Sequence, residues 1–413
     1  MTDLTRPIRR APRPDDPRVR FLIELSRALG TYGTGAHRLE EAVRVCAHEL
    51  GLECHVFSTP TSVFLAVEID GVNSTYLSRI HGGEVNLSKL RRFDELFNAV
   101  IDGRVSPRAG VRKIKQIVHE PDRVPWWVHI GSIAIIAPAA AVFFGGGVKE
   151  MFAASLIGGS VGFLGMCVGK NRQHARLMEF LSGLVAASIA WLLMLVIGPY
   201  SPGVAMLAGI VIFIPGLTLT MAMTELATRN VVSGSARLIG ALMIFLLLGF
   251  GAAAGNTGVH AFVELPASVE PVGLGAGWNV LAAMVSALLF VVLFRAKWSD
   301  AWGMILAVFV SFYGSRFGVE HFGFEFGVCF AAGCVGVLGN LYARMLDRPS
   351  ATIMLPGLIM LVPGTIGFTS LELFMARDTV SGVQTAVTVL IVGAALVVGL
   401  LLANVIVPPR KVL

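Results

Sequence analysis

Charge is what this sequence lacks. Asp, Glu, Lys and Arg make up 15% of its 413 residues, and 55% of them are hydrophobic. A soluble globular protein carries about 25% charged residues, so an ordinary water-soluble enzyme is excluded for most of this length. Cysteine is also sparse. Cys46, Cys54, Cys167, Cys329 and Cys334 form no CxxC pair and no Cys/His group of metal-ligand spacing. They read as small apolar fillers in a reducing compartment, with no metal or cofactor expected. HExxH and Walker A motifs are missing, which argues against ATP-driven chemistry by this chain alone. Arg6, Arg9, Arg10 and Arg13 have no apolar run behind them, so no signal peptide is expected.

The polarity that exists is unevenly placed. Residues 1–125 hold 19 of the 33 Lys and Arg and 16 of the 27 Asp and Glu. The expected organisation is a disordered basic lead-in (1–17), a cytoplasmic α+β domain (18–124) of ααβββαα order, and a membrane domain. The small domain shows helical spacing at Phe21, Leu22, Leu25 and Leu29, ended by the glycine-rich turn from Gly30, and again at Leu39, Val43, Cys46 and Leu50, stopped by Gly51. Strand-like runs follow at 53–58, 62–69 and 74–80, with Asp70-Gly71 as a turn, and then helices at 87–101 and 107–118. Arg38, Glu40 and Glu41 read as a solvated helix start.

Ten apolar segments follow, near 126–144, 151–168, 180–197, 203–224, 236–254, 278–294, 301–317, 324–341, 351–371 and 383–407. A spanning helix needs about 20 residues to cross about 30 Å of hydrocarbon. If the small domain is cytoplasmic, the inner connections carry 11 Lys and Arg and the outer ones three (Lys149, Arg316, Arg377). That bias fits ten helices with both termini inside, and it accounts for the net charge of +6 without a nucleic-acid partner. Asn171 and Asn340 end apolar segments on the inner side, where a hydrated amide is expected.

The membrane domain repeats. Ile214-Pro215-Gly216 returns as Val362-Pro363-Gly364, 148 residues later. At that offset nine of the 29 positions from Met206 to Gly234 are identical, including Arg229, Ser233 and Gly234. Five helices per repeat is an odd number, so the second copy (278–413) runs opposite to the first (125–256), with 257–277 as the outer loop. A 5+5 inverted repeat is a transporter architecture, with a site at the repeat interface.

Each Pro-Gly lies near mid-segment. Proline frees the carbonyl four residues earlier, and glycine permits an unwound turn. In hydrocarbon such a break survives only beside protein or a water-filled cavity. Freed amides suit a carboxylate and freed carbonyls an ammonium. The expected substrate site is therefore Pro215, Gly216, Thr218 and Thr220 with Pro363, Gly364, Thr365 and Thr369. The competing readings are a plain packing kink and threonines bonded back to their own helices. Glu225 and Glu372 are proton-coupling candidates if desolvated, or else interfacial carboxylates paired with arginines. Ser233 and Ser381 read as helix N-caps.

Gly158-Gly159-Ser160-Val161-Gly162 matches a hydrolase GxSxG. No histidine lies deep in a segment, and the glycines are better read as small-residue helix packing. An enzyme is not expected.

The stretch Tyr32-Gly33-Thr34-Gly35-Ala36-His37-Arg38-Leu39-Glu40, with Phe57-Ser58-Thr59-Pro60-Thr61, resembles the opening domain of the threonine/serine exporter family. Ile214-Pro215-Gly216-Leu217-Thr218-Leu219-Thr220 with Glu225 and Arg237 resembles its first membrane half, and residues 362–370 resemble its second. Glu225 stands where that pattern has an aspartate, keeping the charge and changing its reach. The resemblance implies proton-coupled export of threonine and serine across a bacterial cytoplasmic membrane; the partners expected are the lipid bilayer and further copies of the chain in a homo-oligomer. Some relatives are associated with dicarboxylates such as succinate, which is the alternative substrate class.

Overall fold

A computed structural model describes residues 16–69, 71–80, 82, 85–121, 124–169 and 177–409. The expected Asp70 turn residue, Asn171 and the arginines of the lead-in lie outside these. The chain divides into two compact units, one of residues up to 84 with 89–120, the other of 85–88 with residues from 121 onward.

The first unit has the expected element order. Helices α1 (Pro17–Thr31) and α2 (Ala36–Glu49) precede strands β1 (Glu53–Thr59), β2 (Ser62–Ile69) and β3 (Val72–Arg79), and α3 (Leu87–Ile101) and α4 (Pro107–His119) follow. The strands form one antiparallel sheet in order β1-β2-β3. Asp16 caps α1 by accepting the Arg18 amide at 2.8 Å, with Pro17 in the first turn. Leu22, Leu25, Leu39, Val43, Leu65, Phe93 and Ile114 make a fully buried core. The glycine-rich turn from Gly30 ends α1 as expected: the helix runs to Thr31, and the left-handed turn residue is Gly33, at φ 97°. A side chain at Gly30 would collide with Ile80, its Cβ lying 2.4 Å from Cδ1. Glu40 is not merely solvated, because its carboxylate accepts the Ser58 amide at 2.7 Å and so ties α2 to β1.

The second unit consists of apolar helices. The first five segments are α5 (Trp126–Phe143), α6 (Val148–Val168), α7 (Met178–Leu192) extended by α8 (Met194–Ile197), the broken α9 (Pro202–Gly209) and α10 (Gly216–Ala227), and α11 (Val231–Phe262). The second five are α12 (Ala276–Leu293), α13 (Ala301–Phe322), α14 (Phe324–Leu346), the broken α15 (Ala351–Ile359) and α16 (Gly364–Met375), and α17 (Thr379–Ile406). Among the described residues, nine spans are long and apolar enough to cross a membrane, and ten if bent α9 and α10 count as one. The fold class is therefore a membrane α-helical bundle preceded by a small α+β domain.

The same pairings recur in both halves. Helix α7 packs on α11 as α14 packs on α17, α10 on α11 as α16 on α17, and α6 on α9 as α13 on α15. Across the halves, α11 meets α16 and α17 meets α10. Close approach rests on small residues, as expected where lipid tails offer helices no hydrophobic drive to associate. A Cβ on Gly251 would lie 2.0 Å from the Phe180 carbonyl oxygen, and one on Gly399 would lie 2.2 Å from that of Cys329. Phe368 of α16 is fully buried in the core of the first half, among Phe245, Leu248 and Ile214.

Candidate functional site

The chain unwinds where Pro-Gly is written. In the first half the helix stops at Gly209, passes through a short 3-10 turn at Val211–Phe213 and restarts at Gly216, bent by 53°. In the second it stops at Ile359 and restarts at Gly364. Pro215 and Pro363 occupy matching positions immediately before the new helices, both with φ −78°. The first-turn amides of α10 and α16 have no carbonyl one turn back within their own helices.

The two breaks meet. A Cβ on Gly364 would fall 3.0 Å from the Gly216 Cα and 2.8 Å from Ile214 Cγ2; one on Gly216 would fall 2.3 Å from Val362 Cγ1. All four Pro-Gly residues are buried. Thr218, Thr365 and Thr369 are half-buried, and among the described residues nothing hydrogen-bonds their hydroxyls. Thr220 is buried and donates back to the Gly216 carbonyl at 3.2 Å, the local alternative for a helical threonine.

The two glutamates differ sharply. Glu225 is fully buried; it accepts Ser233 Oγ at 2.8 Å, and Arg237 Nε lies 3.0 Å from each carboxylate oxygen. This clasp joins α10 to α11. Ser233 is thus a clasp residue and not an N-cap; Asn230 precedes α11. In the second half Asp378 caps α17, accepting the Ser381 amide, and Ser370 Oγ donates to the Gly382 carbonyl at 2.8 Å.

Glu372 has no such clasp. It is half-buried, and among the described residues no hydrogen bond or ion pair engages its carboxylate. It lines a cavity of about 250 Å³ with Trp191 of α7, Pro202 and Met206 of α9, and Asn256 and Thr257 of α11.

Two further carboxylates escape a sequence reading. Glu150 is buried at the start of α6, accepting the Gly147 amide and the Ser201 amide, each at 2.9 Å. It ties the α5–α6 turn to the approach of α9. Beside it, burial and the Glu150 charge push the Tyr200 hydroxyl well above its ordinary pKa. Asp300 is buried before α13, bonded to Tyr342 at 3.0 Å and in close contact with Arg348, which leads into α15. Asn340, expected to be hydrated, is fully buried and donates to Asn404 at 2.9 Å and the Val407 carbonyl at 2.7 Å. Ser160 lines a groove with Ala134, Phe152, Ser155, Leu156, Gly159 and Phe163, which include no base.

Residues 20–257 match a family model described as "Putative threonine/serine exporter", and residues 279–406 match one described as "Threonine/Serine exporter, ThrE". Curated relatives named pheromone-regulated membrane protein 10 occur in Candida albicans, 27% identical over 89% of this chain and 34% of the relative. Those of Debaryomyces hansenii and Eremothecium gossypii are each 26% identical over 84% of this chain, and 36% and 48% of the relatives. The chain thus spans about a third to a half of their length. No solved structure matches. These relatives correct the expected location: they are fungal membrane proteins, which points to a eukaryotic membrane and away from a bacterial inner membrane. The multi-pass character stands.

Proposed function

The chain belongs to the threonine/serine exporter family, and from that premise we propose that it is a secondary exporter of small hydroxy amino acids, driven by protons. The observation that carries this reading is the meeting of two helix breaks, one from each half, with two half-helix N-termini beside them. Such termini attract anions, and the substrate carboxylate is held there. The half-buried hydroxyls of Thr218, Thr365 and Thr369 are within two turns of the breaks and serve the substrate hydroxyl. The recurring pairings allow one half to rock against the other around this point.

Proton coupling falls to Glu372. Glu225 is occupied by Arg237 and Ser233, and protonating it would leave the arginine without its counter-ion. The carboxylate of Glu372 lines a cavity.

Purified protein in liposomes loaded with labelled threonine tests the reading. Imposing a pH gradient is expected to accelerate efflux several-fold, and flux indifferent to the gradient overturns the coupling. A dicarboxylate such as succinate is the second reading, favoured by the two N-termini, each able to take one carboxylate. Succinate outcompeting threonine in the same liposomes would select it.

A further inference from the structure

The cavity beside Glu372 holds more than a proton site. Its lining includes Glu372 and Trp191, together with the polar pair Asn256 and Thr257. Both of these are exposed, so the cavity opens away from the protein. A carboxylate with an aromatic face and neutral polar groups is the chemistry that recognises a primary ammonium: ion pair, cation–π attraction and hydrogen-bond acceptors. Its volume of about 250 Å³ accommodates a small amino acid.

No other charged side chain lines the cavity. Trp191 on α7 packs edge-on against His260, with ring centroids 4.6 Å apart, and that histidine bonds the Asn256 carbonyl at 2.9 Å. Glu150, next to the α9 wall, is committed to the Gly147 and Ser201 amides. Lys149 is bonded to the Pro199 carbonyl at 3.1 Å. Arg377 follows α16 in an exposed turn. Among the described residues Glu372 is thus the single anionic residue lining this space.

We propose that this cavity is a second station on the export path, separate from the helix breaks, which binds the primary ammonium of an amino acid that has left them, and that a proton arriving on Glu372 displaces it. The step balances: the proton adds to a carboxylate oxygen, the ion pair breaks, and the ammonium leaves with its own charge, one cation for one. The inference rests on the exporter reading and deepens it. It assigns Trp191, Asn256 and Thr257 to the substrate path, and it makes antiport a competition for one carboxylate.

The test is equilibrium binding of labelled threonine to the full-length protein in detergent, from pH 5 to 8. Wild type is expected to bind more weakly as pH falls. Glu372→Gln, which keeps the shape, is expected to bind at least tenfold more weakly with no pH dependence. Glu372→Asp should retain the pH dependence, and Asn256→Ala should weaken binding several-fold with an unchanged profile. Ethanolamine should compete and 3-hydroxybutyrate, which lacks the ammonium, should not. Wild-type affinity and pH slope in a monodisperse Glu372→Gln protein, or equal competition by 3-hydroxybutyrate, overturns the proposal. If wild type neither binds nor exports threonine, the exporter reading falls. Labelled ethanolamine then decides the site separately: Glu372-dependent binding keeps it, and none overturns it.

Discussion

Among the described residues Arg237 has one carboxylate partner, Glu225, which is fully buried. Removing one partner of a buried pair leaves an uncompensated charge and costs about 3–5 kcal/mol. Arg237→Ala is therefore expected to reduce the yield of monodisperse protein severely, and the double change Glu225→Gln with Arg237→Met to recover most of it, as read by size-exclusion profile and thermal midpoint. The sequence offered Glu225 as a proton carrier or as an arginine's partner, because Arg237 lies twelve residues on, past a helix end and a turn. Only the docking of α10 on α11 decides. Residue chemistry is legible in the small unit too. Burial, and secondarily Glu49, pushes the Cys46 thiol up to about 12, and burial alone pushes Cys54 up to about 11, from an ordinary 9.0. Because these folded-state values are raised, the stability they contribute is whole below about pH 9 and is lost as pH climbs from 9 through 11 and 12. The small unit should melt progressively earlier above pH 9, and at pH 7.5 maleimide should modify exposed Cys167 while leaving Cys46 and Cys54 intact until denaturant is added. A flat melting profile from pH 8 to 11 would contradict this.

At the scale of elements, the two Pro-Gly breaks carry the clearest prediction. Gly216→Ala presses a methyl against Val362 Cγ1 at 2.3 Å, the tip of a side chain that a second mutation can shorten. Gly364→Ala presses against the Gly216 Cα at 3.0 Å, which is backbone and cannot be trimmed. Both single changes should abolish threonine efflux with insertion preserved. Val362→Ala should restore part of the flux to Gly216→Ala and none to Gly364→Ala. Equal rescue of both would mean that the breaks do not touch as described. The position of the breaks was legible because a proline and a glycine announce an unwound turn wherever they stand, and an internal echo marks them as a pair. Helix ends were less so. Ser233 and Ser381 have the right chemistry for caps, yet Asn230 and Asp378 come three residues sooner, and chain direction at the turn set by Arg229 and Arg377, both at positive φ, places the helix start there. Gly30 has a role that no turn signal announces: its missing side chain makes room for Ile80.

At the scale of the whole membrane unit, a symmetric frame carries asymmetric chemistry. With the 148-residue offset, Glu225 corresponds to Leu373 and Glu372 to Thr224, so the clasp belongs to one half and the open carboxylate to the other. The latches do correspond. Glu150 joins the start of α6 to the approach of α9, and Asp300 joins the start of α13 to the approach of α15. Neither partner could be foreseen, since each depends on a turn folding back on a helix start about 50 residues away. With five spans per half the two latches are expected at opposite membrane faces, and we propose that each favours closure of its own face. Taking one acceptor from a buried amide costs about 1–3 kcal/mol, enough to shift two near-equal states about fivefold or more. In a cysteine-free background with Thr257→Cys as reporter, Glu150→Gln should raise labelling by an impermeant maleimide, because it frees the face on which the Glu372 cavity opens. Asp300→Asn should lower it, because it frees the opposite face. Changes in the same direction would show that the carboxylates merely stabilise the bundle, and opposite changes would identify them as the two ends of one rocking motion.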